Sequence, residues 1–153
     1  MRLTALGVLL ALGAIACGGE KKADQTQTQT PAAQPAAAQP AGPVVEVKMT
    51  GNGSTQAAFV PATLTIAPGT TVRFINVSGG PHNIAFYGDS IPSGAAAVLN
   101  AGMANRMDNL SGPFLTTPNE NYDVSFAGAP AGTYKGFCLP HVALGMKIAI
   151  TVR

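Results

Sequence analysis

Residues 137–152 read FCLPHVALGMKIAITV, and this stretch combines a strand pattern with a cluster of metal-binding side chains. Across residues 146–152 every second residue is apolar, which is the period-two pattern of a half-buried β-strand. Just before it, a thiol, an imidazole and a thioether lie within nine residues, at Cys138, His141 and Met146. The stretch therefore predicts a strand that begins at a candidate metal site.

The same alternation recurs upstream in short runs at residues 45–49, 72–74, 83–86 and 122–126. Glycine and proline separate these runs, as turns do between strands. The pattern predicts an all-β fold, a β-sandwich of six or more strands. An alanine-rich segment at residues 93–107 is interrupted by glycines, so we expect one short helix or irregular loop there.

The composition limits the classes of function. Of 153 residues only 10% are charged, and the net charge of +2 is too mild for a nucleic-acid-binding protein. A hydrophobic content of 46% predicts a packed core. Two histidines are too few for a multicopper cluster or a three-histidine zinc site. We expect a monomer that binds no nucleic acid.

The N-terminal segment, residues 1–17, has the layout of a bacterial signal peptide: Arg2, an apolar stretch and small residues before Cys17. Ala14-Ile15-Ala16-Cys17 is similar to a lipobox, although leucine is usual at the first position. We expect lipidation of Cys17 and a lipid-anchored protein in the periplasm or at the cell surface. The alternative is an ordinary signal, cleaved after the alanines, with Cys17 incidental.

Residues 18–43 contain no Val, Leu, Ile, Met or aromatic residue, so they cannot bury enough apolar area to fold. Their alternating Gln and Thr, followed by regularly spaced Pro, predict a disordered tether. Residues 44–153 contain all aromatic residues and both histidines, and form the predicted folded domain.

The candidate metal site includes a second imidazole, His82, which lies 56 residues before Cys138. Two histidines and one cysteine, with a weak methionine ligand, are the donor set of a blue-copper site. Taken singly, an inward-facing histidine or methionine is more often a core residue than a ligand. A Cys17–Cys138 disulfide is the obvious alternative for the cysteines of an exported protein. That disulfide cannot form if Cys17 is lipidated or removed, and a metal bond would protect the remaining thiol.

The alternation of side chains along the predicted strands indicates that the candidate ligands point towards one another. His82 shares a predicted strand face with Ile84 and Phe86, which points to the interior of the sandwich. Met146 shares the inward face of the last strand, and Cys138 shares a face with Tyr134. The ligands are therefore expected to meet at one end of the sandwich.

The pattern Cys-x-Pro-His-x-x-x-Gly-Met of residues 138–146 resembles that of the plastocyanin-like cupredoxins, the type 1 blue copper proteins. The run Pro81-His82-Asn83-Ile84 is similar to a second motif of the same family. The resemblance covers residues 44–153 and implies a Greek-key sandwich of about eight strands. It implies one copper ion on four ligands: His82, Cys138, His141 and Met146.

The resemblance also implies roles for residues around the metal. Asn83 and Pro140 would lie next to the ligands, with Asn83 pinning the ligand loop. An apolar rim would dock partners through Pro81, Leu139, Val142 and Leu144.

The implied function is one-electron transfer rather than catalysis. The expected partners are redox proteins, such as a cytochrome donor and an oxidase or photosynthetic acceptor, reached from the membrane through the N-terminal lipid. A periplasmic copper carrier or storage protein would use the same ligands and is the alternative.

Overall fold

The computed structural model describes residues 42–153, which form two four-stranded sheets. The first sheet is built, in chain order, from β1 (Val44–Gly51), β2 (Ala57–Val60), β4 (Thr71–Asn76) and β6 (Asn121–Ser125). The second is built from β3 (Thr63–Ile66), β5 (Ala85–Phe86), β7 (Gly132–Phe137) and β8 (Lys147–Val152). Their spatial orders are β2-β1-β4-β6 and β3-β8-β7-β5.

The connections cross repeatedly from one sheet to the other. β1 runs parallel to β4, and β3 runs parallel to β8, whereas the other pairs are antiparallel. The only α-helix among the described residues, α1 (Ala95–Gly102), lies between β5 and β6. The predicted β-sandwich with one short helix is confirmed, and α1 falls inside the segment predicted to contain it.

The core lies between the sheets and follows the predicted alternation. In β8, Ile148, Ile150 and Val152 are buried, while the residues between them are not. Across the core, the ring of Phe126, directly after β6 of the first sheet, meets that of Tyr134 in β7 of the second sheet edge to face, with centroids 5.3 Å apart. Such close packing makes the two sheets one rigid support for the side chains at the end of the sandwich.

The region of residues 83–86 differs from the prediction. Only Ala85–Phe86 form a strand, and every residue from His82 to Phe86 is buried, so the expected polar outer face is absent. The segment before β6 covers this face, because the Gly112 N–H donates to the Ile84 carbonyl at 2.9 Å. Hydrogen bonds to this distant segment therefore bury the side of residues 83–86 that would be exposed in a regular edge strand.

The predicted signal peptide, Cys17 and residues 18–41 of the predicted tether lie outside the described residues. Within residues 42–153, no helix has the length and apolar character needed to cross a membrane.

Candidate metal centre

Three buried donor atoms converge at one end of the sandwich. His82 Nδ1 lies 3.1 Å from His141 Nδ1, and Cys138 Sγ lies 3.7 and 3.5 Å from these two nitrogens. His82 and Cys138 are fully buried, whereas His141 keeps 7% of its surface exposed. The structure thus brings together three of the four side chains that the sequence predicted as ligands.

The loop from Cys138 to Met146 is closed by its own backbone hydrogen bonds. Leu139–Leu144 form a 3-10 helix that departs from helical geometry at His141. The Cys138 N–H donates to the Met146 carbonyl at 3.1 Å, and the Met146 N–H donates to the His141 carbonyl at 3.2 Å. Met146, the fourth predicted ligand, is only 1% exposed and directly precedes β8, and these backbone hydrogen bonds hold it beside Cys138 and His141.

His82 is positioned by two contacts that the sequence analysis did not predict. Its backbone pairs with Leu115, with N···O distances of 3.0 and 2.8 Å. Its Nε2 lies 2.9 Å from the carbonyl oxygen of Ser78. Because a carbonyl only accepts, Nε2 carries the proton and Nδ1 presents a lone pair to the site, an arrangement common in metal-binding histidines.

Asn76 supports the Leu115 segment and was also missed. Its buried amide donates to the carbonyls of Leu115 and Thr117 at 3.2 and 3.0 Å. The residue therefore ties the end of β4 to the segment that pairs with His82. Its side-chain type alone contains no signal for this role, because the acceptors are backbone carbonyls.

Asn83 connects the segment that carries His82 to the loop that carries Cys138 and His141. Its Oδ1 accepts from the Leu139 N–H at 2.8 Å, and its amide donates to Ser111 Oγ and the Gly112 carbonyl, each at 3.3 Å. Its backbone N–H points to Cys138 Sγ at 3.5 Å. The chain before β5 is thereby hydrogen-bonded to the ligand loop.

We expect Asn83→Leu to destabilise the metal-free protein by about 2–4 kcal/mol, because the part-buried Leu139 N–H and the buried Gly112 carbonyl lose their partner. Chemical unfolding measures this change. Ser111→Ala is the control: it removes one of the same hydrogen bonds and should cost about 1 kcal/mol or less. Equal losses in both variants would contradict the assigned role of Asn83.

Burial shifts the pKa values of two of the donors, Cys138 and His141. Burial raises the pKa of the Cys138 thiol, although the backbone N–H groups of Asn83 and His141 oppose the shift. Burial also lowers the pKa of His141, and the neighbouring His82 adds to this effect. The site therefore favours the neutral imidazole of His141, and forming the Cys138 thiolate requires a positive charge in place of the thiol proton.

These distances fit a metal ion. A point equidistant from the three donor atoms lies about 2 Å from each, which is the length of a bond from a first-row transition metal to an imidazole nitrogen. Thiolate and thioether are soft donors, and with two imidazoles they are typical of copper rather than of magnesium, calcium or manganese. Fold and site together define a mononuclear copper-binding β-sandwich.

An apolar rim surrounds the partly exposed edge of His141. We define it by six exposed residues without charge: Pro81, Leu139, Pro140, Val142, Ala143 and Leu144. Leu139 is 48% exposed, Val142 36% and Leu144 40%. The predicted docking residues therefore lie at the surface beside the site.

Comparisons with known proteins agree with this class. The family model described as copper binding proteins, plastocyanin/azurin family, matches residues 45–153. The chain is 42% identical over 109 residues to plastocyanin from Scenedesmus fuscus, covering 71% of this chain and 99% of that protein. It is 44% identical over 95 residues to chloroplastic plastocyanin from Chlamydomonas reinhardtii, covering 62% and 58% respectively. The solved structure of oxidised plastocyanin from Dryopteris crassirhizoma matches with a TM-score of 0.54 and 28% identity, covering 71% of this chain and 100% of that one.

The chain belongs to the plastocyanin/azurin family of copper-binding proteins. Cupredoxins of the plastocyanin kind are electron carriers and not enzymes. The predicted copper cofactor is confirmed, and His82, Cys138 and His141, with Met146, form a type 1 copper site.

Proposed function

We propose that this protein carries single electrons between membrane-associated redox proteins, from a cytochrome donor to an oxidase or a photosynthetic acceptor. The observation that supports this proposal most strongly is the unequal exposure of the ligands. His141 is 7% exposed at the centre of the apolar rim, whereas the other three ligands are at most 1% exposed. A partner on the rim therefore comes closest to the site at His141.

Bound copper supplies one-electron chemistry by alternating between Cu(I) and Cu(II). The residues of the chain hold one donor geometry ready for both states. The Ser78 carbonyl orients His82, Asn83 joins the ligand loop to the chain before β5, and the sandwich supports both. Little rearrangement is then needed when the charge changes, because the donors are already in place.

The apolar rim fits brief contacts with a partner. It carries no charged residue, and its exposed leucines and valine would be covered on docking. Electron-transfer complexes bury little surface and are weak, as rapid release of a partner requires. The rim therefore suits a carrier that meets two partners in turn.

We further propose that the N-terminal segment anchors the domain. Lipidation of Cys17 would hold the chain at a membrane facing the periplasm or at the cell surface. A 26-residue coil at positions 18–43 would span about 28 Å on average, enough to clear the lipid headgroups. The domain would then search for its partners close to the membrane surface.

Two measurements on the copper-loaded protein test the carrier role against copper carriage or storage. We expect fast electron exchange between the Cu(I) and Cu(II) forms, measured by NMR line broadening. We also expect most Cu(I) to stay bound during an hour with a competing Cu(I) chelator such as bicinchoninate. Rapid loss of Cu(I) with slow electron exchange would identify a copper carrier and reject the proposal.

The anchor is tested separately by Cys17→Ala in the full-length precursor. We expect the wild-type protein to fractionate with membranes and the variant to lose this association. Equal membrane association of both would reject lipidation at Cys17 without affecting the redox role.

A further inference from the structure

The segment that pairs with His82 ends in a tight turn at residues 117–120. The Glu120 N–H donates to the Thr117 carbonyl at 3.2 Å, which closes a β-turn with Pro118 and Asn119 at its centre. Asn119 has φ +70°, a left-handed conformation that asparagine adopts more readily than most residues. All four turn residues are exposed, so hydrogen bonds rather than packing hold the turn in place.

Two further hydrogen bonds end on the carboxylate of Glu120. Its Oε2 accepts from the Thr116 N–H at 2.6 Å and from the Thr117 N–H at 2.7 Å. Hydrogen bonds from backbone N–H groups to a carboxylate are charge-assisted, and they are stronger than those between neutral groups. One side chain therefore fixes the backbone that directly follows Leu115.

The turn is also joined to the end of β4 through Asn76. The Asn119 N–H donates to the Asn76 carbonyl at 2.7 Å, and the Asn76 N–H donates to the Glu120 carbonyl at 2.8 Å. The buried side-chain amide of Asn76 donates to the carbonyls of Leu115 and Thr117. The turn and the residues before it are thereby attached to the first sheet and closed on themselves by the Glu120 carboxylate.

Leu115 transmits this restraint to His82. The two residues exchange both backbone hydrogen bonds, at 3.0 and 2.8 Å, and both are buried. The Ser78 carbonyl fixes only the Nε2 end of the imidazole, whereas Leu115 fixes the backbone from which the ring projects. The position of this ligand therefore depends on the segment that Glu120 closes.

His82 depends on this segment more than the other ligands do. Backbone hydrogen bonds within one loop hold the remaining three, Cys138, His141 and Met146. His82 lies 56 positions before Cys138, so its placement relative to that loop depends on tertiary contacts. A shift of the segment at Leu115 would move His82 relative to the thiol sulfur and leave the loop intact.

We propose that Glu120 is a positioning residue for the His82 ligand, acting through the backbone N–H groups that follow Leu115. The proposal deepens the electron-carrier function and rests on it, because a carrier needs ligands that keep their place when the charge of the copper changes. Glu120 is exposed, so solvent screens its charge, and its role is that of a hydrogen-bond acceptor. An amide in place of the carboxylate preserves this role, whereas removal of the side chain abolishes it.

Amide hydrogen exchange in the copper-free full chain tests the positioning directly. We expect Glu120→Ala to speed exchange at His82 and Leu115 by about threefold to tenfold relative to Ile150, because the paired segment opens more often. Glu120→Gln keeps an oxygen acceptor and should stay within about twofold of wild type. Ile150 lies in β8, paired with β7, and is the internal reference, since a loss of global stability would speed all three amides alike.

Electron self-exchange of the copper-loaded full chain is the second measurement. We expect it to slow by at least about threefold in Glu120→Ala and to stay within about twofold of wild type in Glu120→Gln, because a displaced ligand must rearrange more when the copper changes charge. Both variants remove the same negative charge. Equal slowing in both would identify an electrostatic effect and overturn the proposal.

Asp108→Ala is the matched control. Asp108 is also exposed, and its carboxylate accepts from a backbone N–H, that of Asn109, at 2.6 Å. The substitution removes the same charge and the same kind of hydrogen bond, and should leave amide exchange at His82 and Leu115 within about twofold of wild type. Equal acceleration by Asp108→Ala would reject the specific role of Glu120.

The two measurements distinguish the positioning role from the carrier function. If amide exchange responds to Glu120→Ala as expected but electron exchange of the wild-type protein is slow, the carrier function fails while the positioning role stands. If wild-type electron exchange is fast and Glu120→Ala leaves amide exchange at His82 unaltered, only the positioning role is lost.

Discussion

Cys138→Ser is expected to abolish the intense red-region absorption of the oxidised, copper-loaded protein. That absorption arises from charge transfer between a thiolate sulfur and Cu(II), and Cys138 supplies the only thiol among the three donors that converge at the site. A serine oxygen is a harder and weaker donor, so Cu(II) affinity should fall as well. A visible spectrum taken at matched copper stoichiometry measures the first effect, and competition with a chelator measures the second.

Met146→Leu is the control for that experiment. It replaces the other predicted sulfur ligand with a side chain of similar volume, in a buried position that packs against the same core. We expect this variant to keep its colour, because the thiolate remains, and to shift its reduction potential upward. If the red-region absorption survived Cys138→Ser, coordination of copper by the Cys138 thiolate would be contradicted.

Gly79→Ala is expected to reduce the free energy of unfolding by about 2–5 kcal/mol. Gly79 has φ +74°, a left-handed conformation that costs other residues about 1–2 kcal/mol. A Cβ atom there would also lie 2.2 Å from the backbone carbon of Gly51, and such overpacking costs about 1–3 kcal/mol. Since total stability is commonly about 5–15 kcal/mol, thermal and chemical unfolding should show the loss clearly.

The same substitution should weaken copper binding. Gly79 follows Ser78, whose carbonyl accepts from His82 Nε2, so a displaced backbone removes the contact that orients this ligand. Gly53→Ala is the matched control, because Gly53 has φ +79° and no atom within 4 Å of the added Cβ. It should lose about 1–2 kcal/mol and keep its copper affinity. Similar behaviour of both variants would show that the close approach to Gly51 is unimportant.

The predictions of the last strand and of the Cys138–His141 spacing held because they depend on neighbouring residues in the chain. The alternation from Met146 to Val152 is buried and exposed as expected, because side chains of a strand point to opposite faces. The spacing of Cys138 and His141 likewise keeps these donors within one short loop. The prediction of a half-buried strand over residues 83–86 was wrong in part. A distant segment covers the outer side of these residues, so both faces are buried and neither is exposed.

The sequence by itself determined the type of fold and the kinds of donor atoms. Period-two hydrophobicity is a local property, and the softness of sulfur and nitrogen ligands belongs to the side chains themselves.

Only the tertiary structure decided how His82 meets Cys138 from 56 positions away, which of its ring nitrogens faces the site, and how Asn83 connects the two halves. It also placed the Glu120 carboxylate on two backbone N–H groups beside the segment that pairs with His82. The physical reason is that these contacts run to backbone groups and between segments that are far apart in the chain. They depend on how the strands pack in space, which no local pattern of residue types specifies.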